Sequence, residues 1–170
     1  AYGMMPYLKR MQGELCGLEI GVLKAENMYT ILENCPNVKM IYGVDPFKEH
    51  MDYETKRTKE QMKQYEKIAL ENLSEFEGSY GIVKKTSKAA AKDFGSDEKF
   101  DFILLDGDHT YKGIGEDLKL YYPLLKKGGY MFVHDTNRED VIKAVMDYRN
   151  ENKLRMPLHT SKNFVSFWNK

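Results

Sequence analysis

The sequence predicts a doubly wound α/β domain, in which helices cover both faces of a mostly parallel sheet. Three observations carry that expectation. Short apolar runs bounded by turn residues alternate with longer polar stretches of helical period. Two of the runs, FDFILLD (100–106) and YMFVHD (130–135), are apolar at successive positions, as befits central strands covered on both sides. Both run into charge: Asp106 and then His109 after the first, His134 and Asp135 at the end of the second.

In chain order, a helix over 6–15 precedes LEIGV (18–22), the first strand. A helix near 25–34 leads to MIYGVD (40–45), the second strand. The next helix, 53–74, places Met62, Tyr65, Ala69 and Leu73 on one face, with lysines and glutamates opposite. IVKKT (82–86) is the third strand and 88–93 a short helix after it. FDFILLD is the fourth strand, followed by a helix over 111–126 that Gly128-Gly129 ends as a C-cap. YMFVHD is the fifth, followed by a helix over 138–151. PLHT (157–160) and FVSFW (164–168) are separated by three residues, which permits an antiparallel hairpin but no helical crossover. Without a repeat, a low-complexity segment or a linker, residues 1–170 read as a single domain.

Composition narrows the function. Lysine plus arginine equals aspartate plus glutamate, 26 each, so no net charge favours nucleic acid or an anionic membrane as partner. A hydrophobic share of 42% argues against disorder. The apolar runs are too short to span a bilayer, and no signal-peptide pattern opens the chain. Cys16 and Cys35 lack any CxxC or metal-ligand spacing and read as reduced thiols of a cytoplasmic protein. The chain opens abruptly on AYGMMPYLKRM, so a short preceding N-terminal piece is expected.

In an open parallel sheet, ligands bind beyond the carboxyl ends of the strands. Glu19 and Gly21, Asp45, Ser87, Asp106 with His109, and His134 with Asp135 all fall at such ends and are expected to share one crevice. A glycine leaving the first strand lets backbone approach a ligand. GxGxxG is absent, which disfavours a dinucleotide pyrophosphate. Asp45, at the end of the second strand, is placed to hydrogen-bond both ribose hydroxyls, so an adenosine ligand without pyrophosphate fits better. Simpler readings stay open: Gly21 a tight turn, Asp45 a turn residue before Pro46, Ser87 the N-cap of helix 88–93. Asp108 and Asp117 read as solvated or helix N-terminal charges, His50 and His159 as surface or core, and Tyr121-Tyr122 as packing. Asp106 and Asp135, on neighbouring strands with no lysine or arginine expected beside them, would repel unless a cation lies between.

EIGVLKAEN, GVDPF and FDFILLDGDHTYKGIGEDLKLYYPLLKKGGYMFVHDT resemble the class I S-adenosylmethionine-dependent methyltransferases. More narrowly, they resemble the metal-dependent O-methyltransferase branch related to macrolide-sugar O-methyltransferases and cephalosporin hydroxylase-like proteins. The likeness runs from about Leu18 to the end, and DGDHxY followed by DL, PLL, GG and HD is its most specific part. It implies a Rossmann-like seven-stranded sheet of order 3-2-1-4-5-7-6 with strand 7 antiparallel. It implies S-adenosylmethionine as cofactor, its methionine part and ribose held by Glu19, Gly21 and Asp45, its adenine near Ser87, with Asp106 close by. It implies a divalent metal, magnesium or manganese, on Asp106, His134 and Asp135, with His109 as general base toward the hydroxyl of a small-molecule acceptor such as a sugar. Ala25 stands where the family has a second glycine, Asn27 where serine is usual, and His134 where relatives often carry an acidic residue. Imidazole suits softer divalent ions better than magnesium. Two other readings remain at this stage: a non-catalytic cofactor-binding module of the same fold, and a nicotinamide-dependent oxidoreductase. Acceptor identity is open, as is assembly into a homo-oligomer.

Overall fold

A seven-stranded sheet runs through the middle of the computed structural model, which describes residues 3–52 and 55–170. The first expected helix is reduced to one turn, α1 (Met5–Leu8), because the first strand starts early, as β1 (Leu15–Ile20). There follow α2 (Glu26–Asn34), β2 (Val38–Val44), a small hairpin of β3 (His50–Asp52) and β4 (Thr55–Arg57), and α3 (Lys59–Leu73). The start expected for this helix at 53–54 lies outside the described residues; its observed start is set by a capping box between Thr58 and Gln61. β5 (Tyr80–Val83), α4 (Ser87–Phe94), β6 (Phe100–Leu105) and α5 (Tyr111–Tyr121) come next. The chain closes with β7 (Leu125–Val133), α6 (Glu139–Glu151), β8 (His159–Thr160) and β9 (Ser166–Asn169).

Strand order is β5-β2-β1-β6-β7-β9-β8, with β9 antiparallel to both of its neighbours and the remaining pairs parallel. This is the expected 3-2-1-4-5-7-6 arrangement. The five-residue link between β8 and β9 enforces their antiparallel pairing, since so short a link cannot carry a crossover.

Successive side chains of the central strands feed two separate cores. Phe102 and Leu104 of β6 point into one, with Met28, Ile31, Met62, Ala69 and Leu73 of α2 and α3. Ile103 and Leu105 point into the other, with Ile114, Leu118, Val141 and Val145 of α5 and α6. That is why the run FILL shows no polar alternation: both of its faces are interior.

One expected helix end is instead a strand. Gly128 and Gly129 lie within β7, and Gly128 has φ +80° with its N–H donating to the carbonyl of Lys170. The turn signal is real, but it marks a kink where the β6–β7 register slips between Phe100 and Phe102. Helix α5 ends earlier, at Tyr121, where Pro123 follows in a single 3-10 turn, Tyr122–Leu124. Among the described residues no helix is long and apolar enough to cross a membrane.

Candidate active site

The carboxyl ends of β1, β2, β5, β6 and β7 meet at one edge of the sheet, above a cavity of about 1060 Å³. Gly21, Asp45, Ser87, Asp106, His109 and His134 all stand on its wall. Glu19 lies buried behind the wall, and Asp135 lies beside His134. The hairpin side contributes Lys48, Glu49, His50 and Met51 to the rim.

At the first turn, the need for glycine is set by the protein's own backbone. Gly21 has φ +89°, and a Cβ there would fall 2.3 Å from the Asp106 carbonyl oxygen. Its N–H donates to the Val44 carbonyl and Asp106 N–H to that of Ile20, so three strand ends are tied together at this point. Ala25 also takes a left-handed conformation, φ 59°, as the residue before α2.

Asp45 is spent largely on this turn. Its Oδ2 accepts from the N–H groups of Val22 at 3.1 Å and Leu23 at 3.0 Å, and its Oδ1 from Phe47 N–H at 2.7 Å. Of the four or so acceptor positions on a carboxylate, three are therefore used. One acceptor position remains on this residue, which lines the cavity.

Behind the wall, Glu19 accepts from Asn27 Nδ2 at 2.9 Å through Oε1, while Oε2 is buried with no hydrogen-bond partner among the described residues. Burial, and then the charge of Asp106, push its carboxyl up to about 8. The same Asn27 Nδ2 donates at 3.0 Å to Asp106 Oδ2. A serine hydroxyl at this position has one proton and could serve only one of the two carboxyls; the amide serves both.

The other oxygen of Asp106, Oδ1, faces two imidazoles: His134 Nδ1 at 3.1 Å and His109 Nε2 at 3.3 Å. Burial raises the Asp106 carboxyl, but the hydrogen bonds and charges of His109 and His134 outweigh it and hold it at about 2. The hydrogen bond that His134 donates to Asp106 in turn raises the histidine, against a smaller opposing effect of burial. Asp135, at φ 55°, lies with Oδ1 3.0 Å from His134 Nδ1 and Oδ2 3.9 Å from His109 Nε2. Its loop is fixed by Thr136, whose N–H and hydroxyl both donate to the Phe164 carbonyl.

The charge balance corrects one expectation. Arg138 Nε donates to Asp135 Oδ2 at 2.7 Å, so the two aspartates are not left without a basic partner. The signal was in the sequence, since Arg138 follows Asp135 by three residues at the start of α6. Asp106, His109 and His134 together form a group able to hold a metal ion, with one ligand atom from each lying within 4.8 Å of the others; Asp135 is not a member.

Ser87 turns out to be the first residue of α4; the cap is Thr86, which accepts from Ala89 N–H. The Ser87 hydroxyl donates to Asp117, and Tyr121 donates from its hydroxyl to the Ser87 carbonyl at 2.6 Å. Asp117 is buried on the cavity wall, not solvated, and burial pushes its carboxyl up to about 6. Asp108 is exposed and accepts from Thr110 N–H as a turn residue. His50 is exposed at the cavity rim, and His159 is exposed and stacked on Phe167.

A family profile described as a methyltransferase domain matches residues 18–136. No curated protein sequence matches. The chain is similar in fold to the O-methyltransferase NovP (TM-score 0.71, 18% identity), over 99% of this chain and 75% of that one. It is also similar to an O-methyltransferase from Bacillus cereus solved with SAH (TM-score 0.69, 14% identity), over 99% and 80%. A third likeness is MycE methyltransferase of the mycinamycin biosynthetic pathway, solved with Mg and SAH (TM-score 0.60, 16% identity), over 98% and 46%.

Proposed function

Since the chain belongs to the methyltransferase-domain family, we propose that it carries the methyl group of S-adenosylmethionine to a hydroxyl oxygen of a small-molecule acceptor. The observation that carries the oxygen assignment is the cluster at the ends of β6 and β7. Asp106, His109 and His134 stand on the cavity that Gly21, Asp45 and Ser87 also line, and Asp135 lies within reach of both imidazoles. An alcohol must lose its proton to become a good nucleophile, and such a cluster is suited to taking one near neutral pH.

The cavity residues suit the cofactor. About 1060 Å³ holds a ligand of its size with space left for an acceptor. The buried, unpaired Oε2 of Glu19 matches an ammonium group, as on the methionine end. Asp45 retains one acceptor position for a ribose hydroxyl, and Ser87 lies on the wall where the adenine is expected. When bound, S-adenosylmethionine supplies an electrophilic methyl on a sulfonium. The turn around Gly21 orients one partner and the β6–β7 cluster the other, which lowers the entropic part of the barrier. Asp106 at about 2 stays ionised and keeps the imidazoles oriented toward its Oδ1.

A divalent ion fits the donors at the same cluster, with Asp106 and His134 in its reach and either Asp135 or His109 completing the set. It would supply a lowered pKa for a coordinated hydroxyl. The rim formed by Lys48, His50 and Met51 suits contact with the acceptor. Free Cys16 and Cys35 agree with a reducing cytoplasm.

The test is incubation with methyl-labelled S-adenosylmethionine and a panel of sugars, catechols and other alcohols, with products identified by mass spectrometry and NMR. Label appearing as a methyl ether is the expected result. Label found only on nitrogen or carbon, or tight cofactor binding with no transfer to any acceptor class, would overturn it.

A further inference from the structure

We propose that Asp117 selects the nucleobase of the cofactor, its Oδ2 accepting a hydrogen bond from the exocyclic amino group of adenine, and that Ser87 is the positioning residue that turns this oxygen toward the cavity. This role presupposes that the cavity is an S-adenosylmethionine site, and it adds the residue that tells a 6-amino purine from a 6-oxo purine.

Asp117 stands in the middle of α5 on the cavity wall and is only 5% exposed. Its Oδ1 accepts from the Ser87 hydroxyl at the start of α4. Oδ2 has no hydrogen-bond partner among the described residues, yet it is not sealed from solvent as Glu19 Oε2 is. The small surface that Asp117 keeps belongs to the cavity wall, so Oδ2 opens into the cavity. No cation offsets the carboxylate, because the charged groups acting on it, Asp108 and Glu116, are both acidic. A buried carboxylate with one hydrogen bond and no counter-charge is costly. A ligand that donates to Oδ2 would offset part of that cost on binding.

The neighbouring polar groups are committed elsewhere. The Ser87 hydroxyl has one proton and spends it on Asp117, so it has none left for a base. Tyr121 fixes the same residue from behind, donating to its carbonyl at 2.6 Å. Thr86 caps α4 through its hydroxyl, and Lys88, Asp108 and Glu116 are exposed. Ile20 and Val44 give the same cavity an apolar surface against which a flat ring can lie.

The chemistry then decides which base. An ionised carboxylate only accepts hydrogen bonds. Adenine presents an amino donor at position 6, whereas hypoxanthine presents a carbonyl there and would set two acceptors against each other. A site built to pair one polar group discriminates strongly against an analogue that lacks it.

The experiment measures binding of S-adenosylhomocysteine and of its 6-oxo analogue, S-inosylhomocysteine, to the full chain by calorimetry at about pH 7.5, where the Asp117 carboxyl is ionised. The wild type should prefer the adenosyl ligand by at least about thirtyfold. Asp117→Asn keeps an acceptor for Ser87 and turns its amide N–H groups to the cavity, so hypoxanthine gains a donor as adenine loses an acceptor. The preference should therefore shrink by at least about tenfold. Ser87→Ala should lower the preference by a smaller factor, and Ser87→Thr, which keeps the hydroxyl, should restore it. A role confined to joining α4 to α5 would change stability and leave the ratio of the two affinities alone. Thermal unfolding of each variant shows that it is folded. A wild-type preference near one, or a folded Asp117→Asn with the wild-type ratio, overturns the proposal. Should Asp117→Asn fail to fold, the wild-type ratio and the Ser87 pair decide. A chain that binds both ligands equally loses only this inference, whereas one that binds neither loses the cofactor reading as well.

Discussion

The Ser87 hydroxyl donates to the buried carboxylate of Asp117, and through this bond the start of α4 is tied to the middle of α5 at the cavity wall. Burial raises the Asp117 carboxyl to about 6, and Ser87 offsets only part of that. The folded protein therefore holds the proton more tightly than the unfolded chain, whose aspartates titrate near 3.9. The resulting stabilisation is complete below about pH 4 and is lost as pH rises through about 6, a difference of roughly 3 kcal/mol. Asp117→Asn, which keeps an acceptor for Ser87, should flatten that part of the stability–pH curve. Urea midpoints measured between pH 4 and pH 7 check it; an unchanged slope would reject this origin.

Gly21→Ala should destabilise the fold before it affects any ligand. Its Cβ would meet the Asp106 carbonyl, and its φ of +89° is unfavourable to any side chain. A loss of more than about 1 kcal/mol is expected. Denaturant unfolding of the variant at wild-type stability would show that this turn is held by something else.

Asp45→Ala removes the acceptor of three backbone N–H groups, so unfolding should become easier by about 1–3 kcal/mol. Affinity for S-adenosylhomocysteine should also fall, because the same residue shapes the turn at Gly21. Calorimetric binding and thermal unfolding must therefore be read together. Weakened binding at unchanged stability would mean that the carboxylate serves the ligand alone.

Glu19 begins near 8, mostly protonated at neutral pH. An ammonium group placed beside it favours the ionised form, so its pKa falls and a proton is released. Calorimetry of S-adenosylmethionine binding at pH 7 in two buffers of different ionisation enthalpy should show that release, and Glu19→Gln should abolish it. Identical heats in both buffers for the wild type would remove Glu19 from the ligand's surroundings.

Local pattern was enough for the fold class and the order of elements, while the order of strands in the sheet came from the family resemblance. The apolar runs that became β6 and β7 carry their own evidence of burial on both faces, because each side chain along them enters one of two cores. Where the reading failed, a local signal had two physical outcomes. Gly128-Gly129 reads as a helix stop, yet Gly128 kinks a strand whose partner β6 slips register beside it. Asp117 reads as a solvated helix charge, and only the docking of α4 on α5 buries it against Ser87.

The same division holds at the site. By itself the sequence determined that Gly21, Asp45, Ser87, Asp106, His109 and His134 would share an edge, because in a parallel sheet every strand ends on the same side. Tertiary structure decided how each one's bonding capacity is used. Asp45 is largely consumed by three N–H groups, Asn27 turns one oxygen of Asp106 inward, and Arg138 pairs with one oxygen of Asp135. Those outcomes depend on distances of about an ångström between chain segments up to 79 residues apart, and hydrogen bonds and ion pairs are sensitive on that scale. Strand periodicity fixes a side chain's face but not its partner.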